Sequence, residues 1–377
     1  MGRSWHVESR VRVRRVGFVA AGAVGLIVLL GSGLFLATPR PDPVAWTPPV
    51  APSLTEGPYA TNERLHGIRR IAGIHAKGPE SVAVGADGTL YTGFEDGRVA
   101  RFAADGSDYR LIAYTGGRPL GIALHPSGDL IVADAKKGLL RVSLKGSGRV
   151  LAETAEGEPF GFTDDVAVDA AGRVAYFSDA SSVWHYQQTP SDILEHRGHG
   201  RLLRYDFASG ATTVLLRGLQ FANGVALDPD EQFVLVAETG AYRVTRYWLA
   251  GDKAGTSDVF VDNLPGFPDN VRFANRNRVW VALPIPRDAF LDSMASRPFL
   301  RGLLARLVYL FPPSPARGAK AMAYDRQGRL VANLQSTDRH GYFFITQITE
   351  ADPWLYFGSI EEDAIGRMPL DAAGLAG

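Results

Sequence analysis

The segment Ala86 to Gly93, ADGTLYTG, decides the fold. An Asp-Gly pair opening onto alternating apolar residues is a hairpin turn feeding a half-buried strand. Related units return as PSGDLIVAD (Pro126 to Asp134), AAGRVAYFSD (Ala170 to Asp179), PDEQFVLVAE (Pro229 to Glu238), NRNRVWVAL (Asn275 to Leu283) and RQGRLVANL (Arg326 to Leu334). Successive units lie roughly 40 to 60 residues apart, as blades of a propeller do. Most are followed by a second glycine-led strand, as in GRVARF (Gly97 to Phe102), GLLRV (Gly138 to Val142) and GRLLRY (Gly200 to Tyr205). One such turn alone reads equally as an isolated hairpin. Their regular return describes an all-β radial repeat, and counting units gives a six-bladed β-propeller over residues 61–377.

Two insertions interrupt the repeat. Residues 181–199 carry Trp184, His185, Tyr186, His196 and His199. Residues 284–319 are richly apolar around Arg297, Arg301 and Arg306, and the pattern predicts a helix from Arg297 to Phe311 closed by Pro312-Pro313. Such a helix either packs as core against the propeller face or forms a lid or membrane-facing patch.

Arg3, Arg10, Arg12, Arg14 and Arg15 precede an uncharged run from Val16 to Thr38. At about 1.5 Å per residue the run can cross a hydrocarbon core of about 30 Å. The expectation is a cytoplasmic basic tail at 1–15 and a single N-terminal transmembrane helix, a signal anchor, at 16–38. The product is a single-pass membrane protein with its propeller on the periplasmic or extracytoplasmic side. A cleaved signal peptide competes, but Phe35 spoils the small-x-small site ending at Ala37. Residues 39–60, with Pro39, Pro41, Pro43, Pro48, Pro49 and Pro52, read as a stiff Pro-rich linker.

The chain contains no cysteine, so disulfides and thiolate chemistry are excluded. Its 40 basic and 40 acidic residues cancel, and no nucleic acid partner is expected.

Carboxylates or carboxamides stand repeatedly where a loop enters a strand: Glu80, Asp164, Asn223, and the adjacent Asp269 and Asn270. Around a common axis these oxygens can converge on one hard cation. Calcium takes about six to eight oxygen ligands, so water and a substrate carbonyl could complete the shell. A carbonyl bound there would be polarised for ester or lactone hydrolysis. Singly, each residue reads as readily as a turn residue. Gly-x-Ser-x-Gly and His-Glu-x-x-His are both absent, which disfavours a hydrolase elbow and a zinc protease. His75 and His125, near blade starts, are candidate bases or surface histidines. Trp184 and His185 are expected near a pocket mouth. Glu238 is expected as a buried carboxylate facing the channel or as a partner of Arg243 or Arg246.

Longer stretches carry a resemblance: GPESVAV (Gly78 to Val84), GRPLGIALHPSGDLIVADA (Gly117 to Ala135), FANGVAL (Phe221 to Leu227), VAETGAYRVTRYWLAG (Val236 to Gly251) and LPGFPDNVRF (Leu264 to Phe273). In these the chain resembles the strictosidine-synthase-like branch of the calcium-dependent lactonase and arylesterase propellers, the superfamily of gluconolactonase and the paraoxonases. Within that branch it looks most like the adipocyte plasma membrane-associated type and its bacterial relatives. The resemblance implies a calcium ion, Ca2+, in the central tunnel, held by Glu80, Asp164, Asn223, Asp269 and Asn270. Asp164 stands where the family commonly has asparagine. Paraoxonases carry a histidine at the position of Leu120, so histidine-based water activation does not transfer, and Leu120 becomes a pocket residue. Catalysis is then expected from Glu80 and Asp269, with water activated on the calcium or by a ligating carboxylate such as Asp269.

The leading expectation is a calcium-dependent hydrolase of aryl esters or lactones acting on a small, apolar substrate. The alternatives are a non-catalytic, membrane-anchored binding propeller with structural calcium, and a strictosidine-synthase-type bond-forming enzyme, which needs a suitably placed glutamate.

Overall fold

Six four-stranded antiparallel sheets stand around a central tunnel in the computed structural model, which describes residues 33–274 and 278–375. Their innermost strands are Val82–Val84, Pro119–Leu124, Thr163–Val168, Ala222–Leu227, Val271–Phe273 and Ile345–Ala351, for blades 1 to 6. Each blade is twisted and apolar on both faces, so neighbouring blades bury one another. Tyr91 and Val99 pack on Ile122 and Val132 between blades 1 and 2. Leu235 and Val244 pack on Val279 and Val281 between blades 4 and 5. Leu90 and Phe102 meet Tyr356 and Ile365 where blade 6 returns to blade 1.

The six-bladed propeller stands, but two of the six sequence units share a blade. Val279–Ala282 and Leu330–Ser336 are the second and fourth strands of blade 5, with the 284–319 insertion between them. Blade 6 turns through Asp352-Pro353, which carries no glycine, and so escapes the repeat pattern. Its fourth strand comes from the far end of the chain. Arg69–Ile71 pairs antiparallel with Ile365–Pro369, placing Ile71 opposite Ile365. Arg70 fastens this closure, donating from Nε and Nη2 to Glu362 at 2.7 Å each.

The N-terminal expectation requires correction. Among the described residues no helix is long and apolar enough to cross a membrane. The transmembrane helix, the membrane as a partner and the single-pass orientation are therefore withdrawn. Residues 1–32, including most of the apolar run, lie outside the described residues. The described remainder of the run is a helical turn at 33–36 that ends on the protein itself. Arg306 donates to Thr38 Oγ1 at 2.7 Å and to the Phe35 carbonyl, and its guanidinium lies over the Phe35 ring. Pro39 then forces the chain out of helical geometry.

The prolines beyond it lie along the protein as a strap. Val44 N donates to Glu195 O and Trp46 N to Ala295 O. The Trp46 ring stacks on His196 at 4.1 Å. Arg287 holds the Pro49 carbonyl and Asn263 holds that of Val50. A proline run suits this path, because it is extended without needing backbone donors.

The two insertions meet over one end of the tunnel. The first supplies helix α1 (Thr189–Glu195); the second supplies α2 (Ala289–Met294) and α3 (Pro298–Leu310). Buried Arg301 of α3 donates to the carbonyls of Val44 (2.9 Å) and Ile193 (3.1 Å), tying α3 to strap and α1 together. The outer side of α3 leaves Phe299 84% exposed, while Leu304 and Val308 face inward. The helix is a roof.

Candidate functional site

The inner strands do not begin as regular strands. In blades 2, 3 and 4 the pairing with the second strand slips by one residue, between Pro119 and Ile122, Thr163 and Val166, and Ala222 and Val225. Each slip is a β-bulge, which breaks strict side-chain alternation and re-aims side chains. The bulges hold Leu120-Gly121, Asp164-Asp165 and Asn223-Gly224, so polar side chains turn toward the tunnel mouth. Gly224 is required there: a Cβ would come within 2.4 Å of Asn270 Cα. This close approach brings blades 4 and 5, and with them Asn223 and Asn270, together.

An acidic residue ending the second strand of these three blades holds the loop entering each bulge. Asp134 accepts Arg118 N at 2.8 Å, Asp179 accepts Phe162 N at 2.9 Å, and Glu238 accepts Gln220 N at 2.9 Å. The quoted units end in VAD, FSD and VAE, so this recurrence was visible in the sequence.

Glu80, Asp164, Asn223 and Asp269 line one cavity of about 450 Å3. Asn270 stands beside them, donating from Nδ2 to Glu80 Oε1 at 2.5 Å. The Asn223 carboxamide bonds Asp269. Three buried oxygens of this cluster have no hydrogen-bond partner: Glu80 Oε2, Asn223 Oδ1 and Asn270 Oδ1. Blade 6 contributes scaffolding, since Thr346 donates to the Glu80 carbonyl at 2.6 Å and accepts Asn270 N through its own carbonyl at 3.0 Å.

Burial, with the neighbouring Asp165 charge, pushes Glu80 up to about 7. Burial and the Glu80 charge raise Asp164 and Asp269 well above the ordinary carboxylate range. Arg118, almost wholly buried, pulls the other way on Glu80 and Asp164. Four carboxylates, counting Asp165, face two guanidiniums, Arg118 and Arg272. Were all four ionised, as a bound cation would favour, the excess would be two negative charges, the complement of one divalent cation. Among the described residues no three His, Cys, Asp or Glu side chains form a metal-holding group by themselves. A cation here would depend on the carboxamides as well.

The rest of the cavity is apolar. Leu120, Phe162, Tyr186 and Phe221 form its wall, and Ile193, Leu304 and Val308 belong to the roof helices. The other residues singled out in sequence lie elsewhere. Trp184 donates its indole N–H to Glu195. His185 bonds the Gly161 carbonyl at 3.0 Å and lines a separate side cavity with Lys136 and Lys137. Glu238 is fully buried away from the cavity lining and is paired with Arg243 at 2.7 Å and Thr245 at 2.6 Å. Arg246 is paired with Asp258 instead. His125 bonds Ser127 and the Gly172 carbonyl, outside the cavity lining.

The fold is a six-bladed propeller of a kind seen in solved gluconolactonase structures. A gluconolactonase of Xanthomonas campestris superposes with a TM-score of 0.58 at 17% identity, covering 88% of this chain and 98% of that one. Regucalcin, a calcium-binding protein of Agrobacterium tumefaciens, gives 0.56 at 13% identity, covering 79% and 92%. Family models for strictosidine synthase and for the strictosidine synthase-like N-terminal region match residues 164–252 and 57–102. Adipocyte plasma membrane-associated protein of Rattus norvegicus is 35% identical, over 93% of this chain and 98% of its own length. The chain belongs to the strictosidine-synthase-like family, in the branch of the adipocyte plasma membrane-associated proteins.

Proposed function

We propose that the protein is a calcium-dependent hydrolase of apolar esters or lactones. The observation that carries this reading is the set of three unpaired buried oxygens, on Glu80, Asn223 and Asn270, beside an apolar cavity. A buried oxygen without a donor costs stability unless something absent from the chain satisfies it. Oxygen-only donors with a net charge of minus two suit a hard divalent cation such as calcium better than zinc, which favours nitrogen and sulfur. Glu80, Asp164, Asn223, Asp269 and Asn270 would hold it. When bound, it supplies Lewis-acid polarisation of a carbonyl.

The chain's own residues supply the rest. Leu120, Phe162 and Phe221 bind an apolar body beside the cluster, and the roof restricts water. Asp269 is only half-buried and is held by Asn223, so it is placed to take a proton from an attacking water. A bond-forming reading needs a free glutamate in the cavity. Glu80, the glutamate that lines it, is held at Oε1 by Asn270, and its free Oε2 stands among the carboxylate and carboxamide oxygens of the cluster.

The test is hydrolysis of phenyl acetate and of a lactone series running from alkyl-substituted to polyhydroxylated, with metal content measured in the same samples. Activity lost on chelation, restored by calcium and greatest on alkyl lactones is the expected result. Bound calcium without turnover across the panel would reassign the ion to a structural role in a binding propeller.

A further inference from the structure

Beneath the cluster lies a fourth carboxylate whose role the proposed reaction does not use. Asp165 is fully buried and follows Asp164 directly. All its acceptor positions are occupied. Arg272 donates from Nη1 to Oδ2 at 2.5 Å and from Nη2 to Oδ1 at 2.6 Å. Val166 N donates to Oδ1 and Val225 N to Oδ2, each at 2.8 Å. An ionised carboxylate offers about four acceptor sites, so none remains for a metal. Arg272 Nη1 also donates to the carbonyls of Val225 (3.0 Å) and Val271 (2.9 Å).

These bonds join three of the cluster's carriers. Asp165 adjoins Asp164 in blade 3, Val225 follows Asn223 by two residues in blade 4, and Val271 adjoins Asn270 in blade 5. Blade 2 leaves room for the pair at Gly121, where a Cβ would stand 2.3 Å from Asp165 Oδ1. Arg272 also lines the tunnel on the side away from the roofed cavity, with Gln347 and Thr349. The ion pair therefore separates the cluster from the opposite opening.

We propose that Arg272 is a positioning residue, a fixed internal cation that sets Asp164, Asn223 and Asn270 at one radius and leaves the tunnel a single cation site. The inference rests on the cluster being a cation site. It assigns Arg272 a part in metal geometry distinct from simple bracing, because the guanidinium spans the backbones that carry the ligands.

Native mass spectrometry of the full-length chain with calcium should give one ion per chain; two would overturn the single-site assignment. In Arg272→Lys, which keeps the charge but loses the fork, calcium affinity should fall about 10- to 100-fold. Terbium bound in place of calcium should show more coordinated water by luminescence lifetime. Asp165→Asn combined with Arg272→Gln removes both charges together and gives a second variant if the first folds poorly. It should melt cooperatively and still show the weakened affinity and extra water. Wild-type affinity and terbium hydration in either folded variant would overturn the inference while sparing the cation reading. A wild-type chain that binds no calcium would remove both.

Discussion

Asn223 and Asn270 contribute oxygen without charge, and each uses its amide nitrogen to hold a neighbouring carboxylate. Asn270 holds Glu80 and Asn223 holds Asp269, and the oxygen of each carboxamide is left without a hydrogen-bond partner. Replacing either carboxamide removes an oxygen and frees a carboxylate at once. Glu80→Gln, Asn223→Ala and Asp269→Asn are each expected to lose calcium affinity by roughly 100-fold or more, at or above the loss typical for outer-shell partners. Esterase activity should fall in parallel, read by calorimetric titration and initial rates on the same preparations. Activity retained in a metal-free variant would contradict the mechanism. That Glu80, Asp164, Asn223, Asp269 and Asn270 lie together was legible because a polar side chain at the start of an apolar strand, repeated around a ring, is anomalous. Asp165 and Arg272 were not, since a pair separated by 107 residues leaves no local pattern.

At the scale of elements, α3 was legible almost to its ends. Pro298 opens it and the prolines after Phe311 prevent its continuation. Its role as a roof was not, because Phe299 and Leu304 look alike until the propeller supplies an inside. Arg301 is its anchor, and burial lowers its proton affinity to about 10. Arg301→Ala removes two charge-assisted bonds and should cost about 1.5–3 kcal/mol. It should also raise KM for apolar esters more than it changes kcat, as a loosened roof would; unchanged KM would separate the roof from substrate binding. Helix α1 contains a titrating group. Burial pushes Asp192 up to about 7 from 3.8, and its Oδ2 has no partner. The folded chain thus keeps this proton over a range in which the unfolded chain has released it. The contribution of Asp192 to stability therefore falls as pH rises from about 4 to about 7 and is lowest above that window. Asp192→Asn should raise Tm at pH 8 and give little gain at pH 4. A gain independent of pH would show that the carboxylate charge is not the source.

For the whole molecule, the repeat located five blades, and its count reached six because blade 5 supplied two units while blade 6 supplied none. Periodicity reports turns followed by strands, whereas Arg69–Ile71 joins a blade whose other strands lie at the opposite end of the sequence. Glu362 holds that junction, accepting Arg70 twice and Phe343 N once. Glu362→Ala should cost about 1.5–3 kcal/mol, visible as a lower calorimetric Tm. Amide exchange should quicken first in blade 6; uniform acceleration around the ring would mean the closure is no weaker than the other blade contacts. The same junction bears on the order of synthesis. Arg69–Ile71 is among the first strands a ribosome would release, and its partner Ile365–Pro369 is among the last. Until then the early strand is an unpaired edge, the kind that invites pairing with other chains. Blades 1 to 5 can form as the chain emerges, but the circle is completed only once residues 365–369 are free, when the earlier-made strand finds the later one.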